Sequence, residues 1–139
     1  MINTDFYLKC IQTLEKAHTL TVQAQPDSIE YEMFRSACVK EFEILLEQSG
    51  KLLKLCLRPY LHSHSAADKL FYKDIFRKAA QFGLLSMEEV ERWLEYRDNR
   101  NNTAHDYGVK FADTTLALLP SFIEDCKRLE SLFRQQSYD

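Results

Sequence analysis

The sequence predicts an all-α fold, an up-and-down antiparallel bundle of about five helices, on three observations. Only three glycines and three prolines punctuate 139 residues, apolar residues recur three and four positions apart, and no stretch alternates apolar with polar. Such a length suits a single domain over residues 1–139, large enough to bury well over half of the surface its unfolded chain exposes.

The elements follow in order. A first helix is predicted from about Thr4 to Gln23, with Phe6, Cys10, Thr13, Leu14, Ala17, Leu20 and Thr21 on its inner side. Pro26-Asp27 breaks it, and Asp27 or Ser28 can cap the next. The second and longest helix runs from about Ser28 to Leu57, its stripe passing through Tyr31, Phe34, Cys38, Phe42, Leu45, Leu46, Leu52 and Leu53, until Arg58-Pro59 stops it. A loop holding His62, His64 and Ser65 leads to a third helix over about Ala66 to Phe82, with Leu70, Phe71, Ile75, Ala79 and Phe82 inward and Gly83 ending it. The fourth has the clearest start, because Ser86-Met87-Glu88-Glu89 forms a capping box. It is expected from Met87 to about Ala104, with Val90, Trp93, Leu94 and Arg97 facing inward or toward a partner. Gly108 precedes a fifth helix, and Pro120 is expected to split or kink it, since proline removes an internal hydrogen bond.

Composition bounds the function. Net charge is −3, which argues against a protein that coats nucleic acid over its whole surface. Residues 1–50 carry four basic against eight acidic side chains, residues 51–110 eleven against eight, and residues 111–139 three against five. The middle segment alone is net positive, consistent with a local anion or phosphate site or with chance clustering on a solvated surface. Cys10, Cys38, Cys56 and Cys126 form no C-x-x-C pair and have no His at zinc-ligand spacing, so they read as free core thiols in a reducing cytoplasm. Met1-Ile2-Asn3-Thr4-Asp5 lacks a basic segment followed by an apolar one, and no apolar run approaches the ~18 residues of a membrane span. Cytoplasmic location without membrane attachment is expected. His62-x-His64 reads as a solvent-exposed pair, and no metal or cofactor is expected.

The most polar stretch is Arg97-Asp98-Asn99-Arg100-Asn101-Asn102-Thr103-Ala104-His105-Asp106-Tyr107, at the end of the fourth helix. Asparagine competes for backbone hydrogen bonds, so this stretch weakens a helix without adding apolar burial and reads as a site. At ~100° per residue Arg97, Asn101 and His105 share one stripe, whereas Arg100 and His105 lie roughly 140° apart on a continuous helix. Either the helix unwinds near Asn101-Asn102, or two chains assemble the site across a two-fold axis, which juxtaposes the same patch from each. The stripe of Trp93 and Tyr96 suits such an interface. Structural alternatives exist: Trp93 and Arg97 at i, i+4 can form a cation-π contact, and Arg100 can pair with Asp98 or Asp106.

Arg100-Asn101-Asn102-Thr103-Ala104-His105-Asp106-Tyr107 resembles the R-N-x-x-x-H-x-Y signature of HEPN proteins, specifically the small prokaryotic HepT type, also called nucleotidyltransferase substrate-binding proteins. The similarity spans the chain, through Phe6 and Leu8, Phe34-Arg35, Phe71-Tyr72-Lys73-Asp74, Arg97-Asp98 and Leu119-Pro120-Ser121-Phe122. It implies a homodimer through the motif-bearing helices, with two copies of the signature in one cleft. It also implies a metal-independent endoribonuclease, the toxin of a toxin-antitoxin pair whose partner is a minimal nucleotidyltransferase (MNT). In many such pairs the transferase neutralises the toxin by adenylylating the motif tyrosine, here Tyr107. The alternative it implies is a non-catalytic subunit that presents a nucleotide or other substrate to the transferase.

The residues suit that chemistry. His105, with a reference pKa of about 6.5, can move protons to and from the 2′-hydroxyl and the leaving oxygen. Arg100 stays charged and can stabilise the pentacoordinate phosphate with a bidentate fork. Proton transfer supplies roughly 10²- to 10⁴-fold and one positioned donor about 10²- to 10³-fold, enough for a modest nuclease. Asn101 can orient His105 or bind a phosphate oxygen, Arg97 can hold a flanking phosphate, and the Tyr107 phenol can stack on a base or accept a nucleotidyl group. RNA or a nucleotide is therefore the expected ligand rather than DNA. No Gly-rich phosphate loop, paired acids for metal-dependent transfer or nucleophile elbow occurs, so nucleotidyl transfer belongs to a separate protein.

Overall fold

A computed structural model describes residues 2–61, 64–102 and 109–136, without the side chains of His64, Asn102 and Val109. The described residues are helical, with six α-helices: α1 (Asp5–Gln23), α2 (Ile29–Leu57), α3 (His64–Asp68), α4 (Tyr72–Gln81), α5 (Met87–Asn102) and α6 (Val109–Gln136). A 3₁₀ turn, Arg58–Tyr60, follows α2. Among the described residues no helix is long and apolar enough to cross a membrane.

The local signals act as their chemistry dictates. Ser28 Oγ accepts from the Tyr31 amide at 3.1 Å and caps α2. Ser86 and Glu89 close the capping box at 3.1 and 3.2 Å, so α5 starts where the sequence places it. Gly83 has φ +76°, the left-handed conformation that ends α4 with little steric cost.

Two expectations about elements fail. The single helix expected over 66–82 is two, α3 and α4, separated where the Leu70 amide closes onto the Ala67 carbonyl and Phe71 turns extended, with ψ 162°. Phe71, expected inside, is 81% exposed, and Phe6 on α1 is exposed too, its place in the core taken by Tyr7. Pro120 lies inside α6, which is unbroken. A mid-helix proline costs about 3 kcal/mol, but the buried stripe of α6 runs straight across it through Leu119, Phe122, Ile123, Cys126, Leu129 and Phe133. Each buried side chain of this size contributes roughly 1.5–3 kcal/mol, so burial on both sides outweighs the lost bond.

The core lies between α1, α2, α4, α5 and α6. α2 is central and touches each of the other five helices. Phe42 of α2 packs on Phe122 of α6, and Trp93 of α5 stacks on Phe76 of α4 and meets Phe122 edge-on. Trp93 and Tyr96 are 0% and 1% exposed. The stripe expected to face a partner chain is thus the interior of this one, because Phe76 and Phe122 close over it. All four cysteines are buried, as expected of core thiols.

α5 is antiparallel to α6 and keyed to it by polar rungs. Arg128 reaches Glu89 at 3.0 and 3.1 Å, Arg92 donates two hydrogen bonds of 2.9 Å to Asp125, the Tyr96 hydroxyl donates to Asp125 at 2.6 Å, and Asn99 reaches Thr115 at 3.3 Å. Removing one partner of a buried ion pair costs about 3–5 kcal/mol. Arg92 is partly solvated, so we expect Asp125→Ala to lose about 2–3 kcal/mol, less than that full penalty. Urea denaturation of the two proteins measures it, and a loss below about 0.5 kcal/mol, typical of a surface substitution, would contradict this role.

Candidate functional site

The described part of the polar motif is the C-terminal half of α5. Arg97 and Arg100, three apart and hence neighbours on the helix surface, both turn toward α2. Arg97 Nη1 donates to Glu47 Oε1 at 2.8 Å, and Arg100 Nε lies 3.8 Å from Glu43 Oε1. Glu43 and Glu47 stand one turn apart on α2, so two cations of one helix face two carboxylates of the next. Asn101 is exposed at the edge of this cluster.

The alternative of a Trp93–Arg97 contact does not hold, and of the two acids considered for Arg100 only Asp98 lies among the described residues. Asp98 pairs with Lys73 of α4 at 2.6 Å, not with Arg100, and Asp106 lies outside the described residues. Arg97 does make a cation-π contact, but with Tyr72 of α4, whose ring centroid is 4.5 Å from the guanidinium carbon. Trp93 cannot serve, being stacked inside the core on Phe76.

Tyr72, Glu43, Glu47 and Lys73 are site neighbours that sequence reasoning missed as such. Tyr72 packs on α2 at Gly50, where a Cβ would come within 2.7 Å of its Cε2 atom. Its hydroxyl donates to the Leu46 carbonyl at 2.9 Å. Burial pushes the Tyr72 phenol well above its ordinary range while Arg97 opposes that shift, so the ring is a neutral phenol at physiological pH. The signal available in the sequence was Gly50 itself, a poor helix residue in the middle of a 29-residue helix.

Of the predicted site residues, the structure therefore brings Arg97 and Arg100 together on the α2-facing edge of α5, with Asn101 beside them. His105 and Tyr107 fall in 103–108, outside the described residues, as does His62; of His64 only the backbone is described.

Residues 3–135 match the family model described as "Nucleotidyltransferase substrate binding protein like", and the chain belongs to that family. It is 32% identical over 116 residues to Probable ribonuclease HepT of Haemophilus influenzae, across 83% of this chain and 77% of that protein. A solved structure from Haemophilus influenzae, described as the fold of a substrate binding domain of a nucleotidyltransferase, superimposes with a TM-score of 0.78 over 95% of this chain and 99% of the other. At 24% identity that likeness establishes the fold.

Gly50→Ala tests the local construction. The added methyl meets the Tyr72 ring, so we expect the ring to move and the protein to lose about 1–3 kcal/mol, as overpacked sites do. Thermal unfolding reads this out. A variant as stable as the parent, or stabilised by the roughly 0.5–1 kcal/mol that alanine normally gains over glycine in a helix, would show the approach to be unconstrained.

Proposed function

We propose that this protein is a HepT-type ribonuclease, the HEPN toxin of a pair with an MNT-type nucleotidyltransferase. The observation that carries the reading is the edge of α5 on which Arg97, Arg100 and Asn101 stand together, immediately before His105, in a chain related to a probable ribonuclease. Two guanidiniums on one edge can hold successive phosphates of a single strand. In this reading the substrate is RNA, because its 2′-hydroxyl supplies the nucleophile for His105 to activate, a group that DNA lacks.

In the proposed reaction His105 takes the proton of the 2′-hydroxyl as that oxygen attacks phosphorus, and returns a proton to the departing 5′-oxygen. Arg100 stabilises the charge on the phosphoryl oxygens. Arg97 holds a flanking phosphate, and Asn101 orients the imidazole or binds an oxygen. Arg100 and His105 come from opposite subunits of a homodimer formed through α5 and the motif, in the cytoplasm. With Trp93 and Tyr96 buried, the dimer contact falls to the polar end of α5 and to exposed side chains. The nucleotidyltransferase partner silences the site by adenylylating Tyr107.

The family description favours a second reading, in which the same cleft presents a substrate to the transferase without cutting it. The two differ in one assay. With chelator present we expect the purified protein to cleave RNA and His105→Ala or Arg100→Ala to reduce the rate by about 10²-fold or more. RNA left equally intact by parent and variants rejects the nuclease and leaves the presenting subunit.

The modification has its own test. Co-expression with an MNT partner and ATP is expected to add about 329 Da per adenylyl group to the intact mass, on the peptide containing Tyr107. Unmodified protein, or modification that persists in Tyr107→Phe, contradicts that assignment.

A further inference from the structure

Arg97 has a mount that a structural surface arginine does not need. Exposed ion pairs contribute about 0–1 kcal/mol, and a glycine within a helix costs roughly 0.5–1 kcal/mol relative to alanine. Yet one stretch of α2 supplies three fittings for this guanidinium. Gly50 lets the Tyr72 ring approach, the Leu46 carbonyl fixes the Tyr72 hydroxyl, and Glu47 holds Nη1 from the side. The Tyr72 ring lies 4.5 Å from the guanidinium carbon, and the Arg97 side chain keeps 25% of its surface exposed. The Glu47 side chain is 63% exposed, so it can swing into water with little loss.

Resting on the RNA-binding reading above, we infer that Tyr72 is a positioning residue for Arg97 and that Glu47 is its displaceable counter-ion. Glu47 occupies in the free protein the edge that a backbone phosphate of single-stranded RNA takes in the complex. The carboxylate and a phosphate oxygen present the same chemistry to the guanidinium, a planar or tetrahedral oxyanion accepting from N–H donors. The ligand must therefore displace Glu47, while the ring contact survives the exchange and keeps the cation in place. Glu47 weakens binding, Tyr72 strengthens it, and both act through Arg97 alone.

The test is binding of a fluorescein-labelled single-stranded RNA oligonucleotide, followed by anisotropy with chelator present. Every protein carries His105→Ala to prevent cleavage. Glu47→Gln is expected to tighten binding about three- to tenfold and to steepen its salt dependence by up to about one counter-ion. Tyr72→Leu is expected to weaken binding about three- to tenfold, with Tyr72→Phe close to the parent because it keeps the ring. All of these differences should vanish in an Arg97→Ala background, a coupling that a purely structural role would not produce. The inference is overturned if Glu47→Gln leaves affinity unchanged, or raises it equally when Arg97 is absent. Should Tyr72→Leu fail to fold by circular dichroism, the Glu47→Gln cycle decides alone. A parent that binds no RNA overturns the RNA reading and this inference together, whereas RNA binding without coupling to Arg97 overturns the inference only.

Discussion

Asp125 sits on α6 at 3% exposure, accepts both hydrogen bonds of the Arg92 fork and accepts a third from the Tyr96 hydroxyl. A carboxylate is retained in such surroundings only when its lone pairs are filled, and here α5 fills them. Burial and the hydrogen bond to Asp125 raise the Tyr96 phenol far above its ordinary range, so that donor remains protonated. Arg92 and Tyr96, four apart, fix the rotation of α5 about its axis. Trp93 is then driven between Phe76 and Phe122, and one turn later Arg97 and Arg100 emerge toward α2. The direction in which Arg97 and Arg100 point is a consequence of how α5 is keyed to α6.

The uneven charge along the chain finds part of its explanation in this packing. The acidic first third contributes Glu43 and Glu47, and the basic middle contributes Arg97 and Arg100 against them. The same complementarity recurs where Lys127 of α6 meets Glu15 of α1 at 2.8 Å. The sequence leaves two meanings open for this uneven charge, chance clustering on a solvated surface and a local anion or phosphate site. Two of the basic side chains, Arg97 and Arg100, face carboxylates of their own chain, and in the proposed function an incoming polyanion would compete with α2 for them.

The layout of helices was legible because its signals are local. Ser28, the Ser86-Glu89 box, Gly83 and the periodic stripes each act within a turn or two of themselves. Failures came where tertiary contacts decide. Pro120 is a breaker by local rules, but α6 continues through it as one helix, with Leu119 and Phe122 buried on either side. Trp93 and Tyr96 look alike on a helical wheel whether they face a partner or the interior, and only the arrival of Phe76 and Phe122 separates the two. The motif could be named from its own residues. Its surroundings could not, because Tyr72, Glu43 and Glu47 come from positions 25 to 57 residues away with no shared pattern.

Pairing of Arg100 with His105 across two subunits is the claim on which the functional account stands, and mixing of inactive variants measures it most directly. Arg100→Ala and His105→Ala chains, refolded together in equal amounts, form mixed dimers in half of the cases on random assembly, each with one intact and one doubly defective site. Our account predicts recovery of about a quarter of the parent RNA-cleaving activity from two preparations that are each inactive alone. No recovery, with mixed dimers demonstrated by mass, would place both groups within one chain and contradict it.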